Sequence, residues 1–129
     1  MQTLREATAI ATGPGDLEAR LRAIDDWQRM DDAGVRMWAL LEMELGIASA
    51  HNPAIAAKLG ALQDAGRALL ALGMKAESRR RKQKLPLAPE ELALALEALS
   101  VGFTHARLVR RDAVPDDLFS RVMRRILGV

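Results

Sequence analysis

The sequence predicts an all-α protein, a single domain over residues 1–129 built as an antiparallel array of about six helices. Three observations predict it. Half of the chain is apolar, with Ala and Leu dominant and β-branched residues sparse, a mixture that loses little side-chain freedom in a helix. Apolar residues recur at steps of three and four between breakers, the period of a helix with a buried face. No segment alternates apolar and polar residues as a half-buried strand would. The length allows a sizeable core.

The elements follow in order. Thr3–Thr12 reads as a short helix ending at Gly13-Pro14-Gly15. Asp16 is the expected N-cap of a second helix to about Arg29, with Leu17, Leu21, Ile24 and Trp27 on one face. Asp31-Asp32 restart a helix through about Ala50. At His51-Asn52-Pro53, Asn52 can cap the next helix and Pro53 suits its first position. That helix, Pro53 to about Arg81, carries a stripe of Ile55, Leu59, Leu62, Gly66, Leu69 and Gly73. Gly66 and Gly73 each weaken a helix by roughly 1 kcal/mol relative to Ala, so on an inward stripe they are expected to admit close helix crossings. Pro89-Glu90-Glu91 opens a helix to about Arg111, and Val114-Pro115-Asp116-Asp117 opens a last one to about Leu127.

Composition narrows the function. The chain has no Cys, which excludes disulfides, thiolate metal sites and cysteine nucleophiles. Charge breaks the apolar stretches before the roughly 18 residues of a membrane span, so no membrane partner is expected and the cytosol is the expected compartment. The net charge of +2 creates no global field for polyanions. The basic run Arg79-Arg80-Arg81-Lys82-Gln83-Lys84 has no interleaved aromatic and reads as a solvated helix end, where cations favour the helix dipole; a nucleic-acid contact by counter-ion release is the rival reading.

The helix from Pro89 has two apolar stripes. Leu92, Leu96, Leu99, Phe103 and Ala106 form one; Leu94, Ala98, Val101 and Leu108 form a second, about 200° away at 100° per residue. The last helix adds an apolar arc of Phe119, Val122, Met123 and Ile126, flanked by Leu118 and Leu127. Either a small domain wraps the first of these helices, or the two pair with a second copy as a four-helix bundle across a two-fold axis. The second reading gives a homodimer whose interface is Leu92, Leu96, Leu99, Phe103, Ala106, Phe119, Val122, Met123 and Ile126.

The run Leu85-Pro86-Leu87-Ala88-Pro89-Glu90-Glu91-Leu92-Ala93, then Leu99-Ser100-Val101-Gly102-Phe103, then Arg111-Asp112-Ala113-Val114-Pro115-Asp116-Asp117-Leu118-Phe119, resembles the end of a TetR-family transcriptional regulator. The His51-Asn52-Pro53 junction between two helices is similar to one in the same family. The resemblance covers roughly Asp16 to Val129 and rests on the order and spacing of these motifs. It implies a C-terminal domain that dimerises through its last two helices and binds a small, largely apolar effector. The family's N-terminal helix-turn-helix has no counterpart among these residues. Residues 1–12 correspond at most to a remnant of the connecting helix, and DNA is expected to be reached only through a headpiece outside the sequence.

The effector site is expected on the helix from Asp31, which is apolar on nearly every side. Trp27, Met30, Met37, Trp38, Leu41 and Met43 would line it with Leu62 and Leu69, and Glu42 or Glu44 would be its polar anchor. An ordinary core with Glu at its rim is the rival. His51 and His105 lack partners at ligand spacing, the serines have no glycine elbow and no phosphate loop is visible. No cofactor, metal or enzymatic activity is therefore expected.

Overall fold

The computed structural model describes residues 16–29 and 31–129. The expected helix Thr3–Thr12 and the expected pocket residue Met30 lie outside the described residues. Five helices make up the fold among those described: α1 (Leu17–Gln28), α2 (Ala33–Ser49), α3 (Pro53–Arg81), α4 (Pro89–Val109) and α5 (Leu118–Leu127). They match the last five expected helices, and no strand accompanies them.

The ends form where capping chemistry puts them. Asp16 Oδ1 accepts from Ala19 N at 2.6 Å, Asp32 Oδ1 from Gly34 N at 2.8 Å, and Asn52 Oδ1 from Ala54 N at 3.1 Å. Each satisfies a donor that the first helical turn leaves free. Pro53 and Pro89 occupy the first turns of α3 and α4, where a missing N–H costs nothing. The chain leaves α5 through Gly128 at φ +73, a left-handed position natural to glycine. There Val129 N donates to Arg124 O at 2.9 Å. Two boundaries differ from expectation. Arg110 turns extended, so α4 stops at Val109, and Pro115–Asp117 form a turn before α5 begins.

Ion pairs record how the helices run. Lys75–Glu90 at 2.9 Å and Arg67–Glu97 at 2.5 Å make α3 and α4 antiparallel. Arg124–Glu18 at 2.8 Å, with Ser120 N donating to Asp25 Oδ1 at 3.2 Å, does the same for α1 and α5. The core lies between these four helices. Leu17 and Leu21 of α1, Met74 of α3, Leu92 and Leu96 of α4, and Phe119, Met123 and Leu127 of α5 form one buried cluster. Each fully buried Leu stabilises the fold by roughly 1.5–3 kcal/mol. α2 packs on α3 outside this core and buries only Val35 and Ala39, which meet Trp27 and Leu108.

The glycines of α3 are not crossing points. A Cβ built on Gly66 or Gly73 meets nothing within 4 Å, so neither allows a helix to approach more closely than Ala would. Periodicity placed them on one stripe with Leu62 and Leu69, but that stripe is only partly covered, and Leu69 is exposed.

Candidate functional site

α4 separates its two stripes sharply. Leu92 and Leu96 are each 2% exposed inside the chain's own core, whereas Leu94 is 51% and Val101 46% exposed. Leu99, Phe103 and Ile126 are half-buried against that core, Ala106 is half-buried, and Phe119 and Met123 are fully enclosed by it. The residues expected at a dimer interface are thus largely occupied within one chain. The stripe left free is the other one: Leu94, Ala98 and Val101, with Leu108 half-buried beneath α2. Sequence periodicity reveals two apolar faces but not which of them α1 and α3 cover.

Beyond the core face of α5 an open groove of about 910 Å³ runs between Pro86 and Val129, with Leu118, Val122 and Ile126 along it and Arg121, Arg124 and Arg125 as basic groups. Val122 and Ile126 are the two expected interface residues that line this groove.

The expected effector residues are spread across α1, α2 and α3. Trp27, Trp38, Met43 and Leu62 are half-buried, while Met37 (66%), Leu41 (42%) and Leu69 (42%) are exposed, as is Glu44. None of them lines the groove. Glu42 is distinct among them. Its carboxylate is half-buried and has no cation partner among the described residues, and burial followed by the nearby Glu97 charge pushes it above the usual carboxylate range. Arg67 does not relieve Glu42, because its guanidinium is engaged by Glu97, from Nε to Oε2 at 2.5 Å, and by Asp64 at 3.4 Å. The indole Nε1 of Trp27 is likewise buried without an acceptor. These groups give the α2 side unpaired polar atoms next to apolar surface.

Two polar clusters escaped sequence reasoning. Gln28, 2% exposed, donates through Nε2 to Ser100 Oγ at 2.8 Å. The buried Arg107 guanidinium donates to Gln28 O at 2.8 Å and to Pro115 O at 3.1 Å, joining the end of α1 to the turn before α5. Desolvation lowers the Arg107 pKa, opposed by Asp116 and Asp25. At the other end the buried Glu77 receives Arg20 at 3.2 Å, Arg81 at 2.7 Å and Arg80. Burial alone would raise Glu77; the hydrogen bonds from Arg81 and Arg80 and the charges of Arg80 and Arg20 outweigh it and hold the carboxyl below its usual range. The i,i+3 and i,i+4 spacing of Glu77 to Arg80 and Arg81 was a readable signal. The link to Arg20 was not.

Among the described residues no group of three or more His, Cys, Asp or Glu side chains could hold a metal ion. By length and composition alone α4 could cross a membrane, although here its Leu92 and Leu96 belong to the core and Glu97 is paired with α3. No family model, curated protein or solved structure matches the chain.

Proposed function

We propose that this chain is the effector-sensing and dimerisation domain of a TetR-like transcriptional regulator, one that reads a DNA sequence only through the headpiece typical of that family. The observation that carries the reading is the exposed second stripe of α4, Leu94, Ala98 and Val101; the open groove on α5 is a further apolar surface left uncovered. A single chain buries one apolar face of each of these two helices and leaves the other to water. Pairing α4 and α5 with their copies would bury on the order of 1,200–2,000 Å², the range of stable specific interfaces.

The effector would bind between α2 and the α3–α4 pair, against Trp38 and Leu62, with Glu42 as the polar anchor. An unpaired, half-buried carboxylate gains most from a ligand that donates a hydrogen bond to it. A ligand-free dimerisation module is the second reading, favoured by the separation of the expected pocket residues from the groove.

Thermal melting against a panel of apolar compounds, some carrying a hydrogen-bond donor, decides between the two. Effector binding predicts saturable stabilisation following RT ln(1 + [L]/Kd) and a change in Trp fluorescence, both weakened by Glu42→Ala. A panel that moves neither signal, with the protein still dimeric, supports the module without a ligand.

A further inference from the structure

The net charge of +2 conceals a local concentration of cations at one end of the molecule. The C-terminal ends of α3 and α5 meet. A Cβ at Gly128 would fall 2.5 Å from Gln83 Nε2, and a small cleft is lined from both sides by Ser78, Arg81 and Lys84 and by Ile126 and Leu127. The basic run at the end of α3 therefore continues onto Arg125, more than forty positions later in the sequence. Arg79, Lys82, Lys84 and Arg125 are all exposed, and among the described residues none has a carboxylate partner. Behind them three guanidiniums converge on the single carboxylate of Glu77, which leaves that cluster cationic as well.

The opposite end carries mixed charge, its aspartates largely paired with Arg29, Arg110 and Arg111. Asp26, Asp31, Asp32, Asp112 and Asp116 are exposed there, where Arg111 pairs with Asp31 and ties the α1–α2 junction to the loop after α4.

We propose that the joined ends of α3 and α5 bind the phosphodiester backbone of duplex nucleic acid without sequence preference. From sequence the run reads first as a solvated helix end that stabilises α3, with a nucleic-acid contact as its rival. Completion of the surface by a second helix supplies more free cations than one helix end uses. Arginine presents planar donors that match phosphate, and each neutralised phosphate releases a counter-ion. No Trp or Tyr lies on this surface to stack on a base, so contacts are with the backbone and carry no sequence information. The same feature argues against a lipid surface. Among the described residues this surface has no aromatic anchor by which a helix inserts into a bilayer, and the apolar residues beside it, Leu118, Val122 and Ile126, are half-buried along a groove. The inference does not depend on the effector; in a dimer that covers the α5 groove, where Arg125 lies, it is carried by Arg79, Lys82 and Lys84, which are outside that groove.

Fluorescence anisotropy of a labelled 20-base-pair duplex, titrated with the whole chain at 50, 100 and 200 mM NaCl, tests it. Four free cations predict a log–log dependence of affinity on salt with a slope of about −3.6. A scrambled unlabelled duplex should compete equally well. The triple variant Arg79→Glu/Lys82→Glu/Lys84→Glu should bind at least about tenfold more weakly at 50 mM NaCl with the same mass in solution as the wild type. Should acidic groups at the end of α3 unfold that variant, Lys84→Ala/Arg125→Ala should still fold and reduce the slope by about 2. Absence of binding at 50 mM NaCl, a slope weaker than −1, or variants that bind like the wild type would overturn the proposal. So would sedimentation with phosphatidylserine vesicles in the absence of any duplex binding.

Discussion

Glu77 and Glu42 sit on long helices of one small protein, and their surroundings could hardly differ more. Glu77 is enclosed at the packed end of the molecule and held by guanidiniums from α1 and α3. Glu42 is half-buried on the α2 side with no cation of its own, and its pKa moves in the opposite direction. The contrast extends to the apolar residues. At the packed end Leu21, Leu92 and Leu96 are almost completely enclosed, while on α2 Met37, Leu40, Leu41 and Ile47 face water. One end is built for stability, and the other retains apolar surface and unpaired polar groups that a bound molecule could cover.

The largest expected difference between the two regions lies in side-chain truncation. Leu92→Ala should lower the unfolding free energy by about 2–5 kcal/mol, since it removes buried methyl groups and leaves a cavity. Leu40→Ala on α2 should change it by less than about 0.5 kcal/mol. Urea unfolding measures both, and equal effects would erase the distinction. Among the charged residues, Glu77→Gln should cost about 1.5–3 kcal/mol because it removes charge-assisted hydrogen bonds and strands Arg20. Glu42→Gln should instead stabilise the protein, by roughly 0.5 kcal/mol.

Their pH profiles should oppose each other. The depressed Glu77 contributes stability that is present above the ordinary carboxylate pKa of about 4.3 and lost as pH falls through its lower folded value. With Glu42 raised, stability is greatest below that ordinary value and is lost as pH rises through the folded one. The gain from Glu42→Gln should therefore be full at neutral pH and vanish in acid, while the loss from Glu77→Gln should also fade in acid. A gain from Glu42→Gln that persists unchanged at pH 3 would separate it from titration.

The smallest effect concerns α3. Gly66→Ala should stabilise the helix by about 0.5–1 kcal/mol, because the added methyl meets open space and the unfolded chain loses freedom. A lower melting temperature would restore Gly66 as a crossing point.

Much of this fold was legible because helix ends carry local chemistry. Asp16, Asp32 and Asn52 cap the helices whose starts they predict, since a side-chain oxygen three positions from an N–H is a matter of local geometry. The pairing of helices was less legible. Leu92 and Leu94 are equally apolar, and only the arrival of α1 and α3 from elsewhere in the chain decides which is enclosed. For the same reason the expected interface stripe became core, and Gly66 faced nothing. Nothing in the local sequence marks Arg107 as buried, yet it is 3% exposed and donates to Gln28 O, 79 positions away. At the candidate site Glu42 was singled out by its place on an apolar helix, but its proximity to Glu97 required the fold.

The central claim is that the free stripe of α4 meets a second copy of the chain. Light scattering after size exclusion, over a dilution series of the wild type and of Leu94→Glu/Val101→Glu, tests it most directly. Both substituted positions are about half exposed, so the variant's fold should survive. The wild type should run at twice the 14.1 kDa chain mass at micromolar concentration, and the variant at the monomer mass with unchanged helical content. A wild type that remains monomeric at high micromolar concentration, or a variant that remains dimeric, would contradict the account.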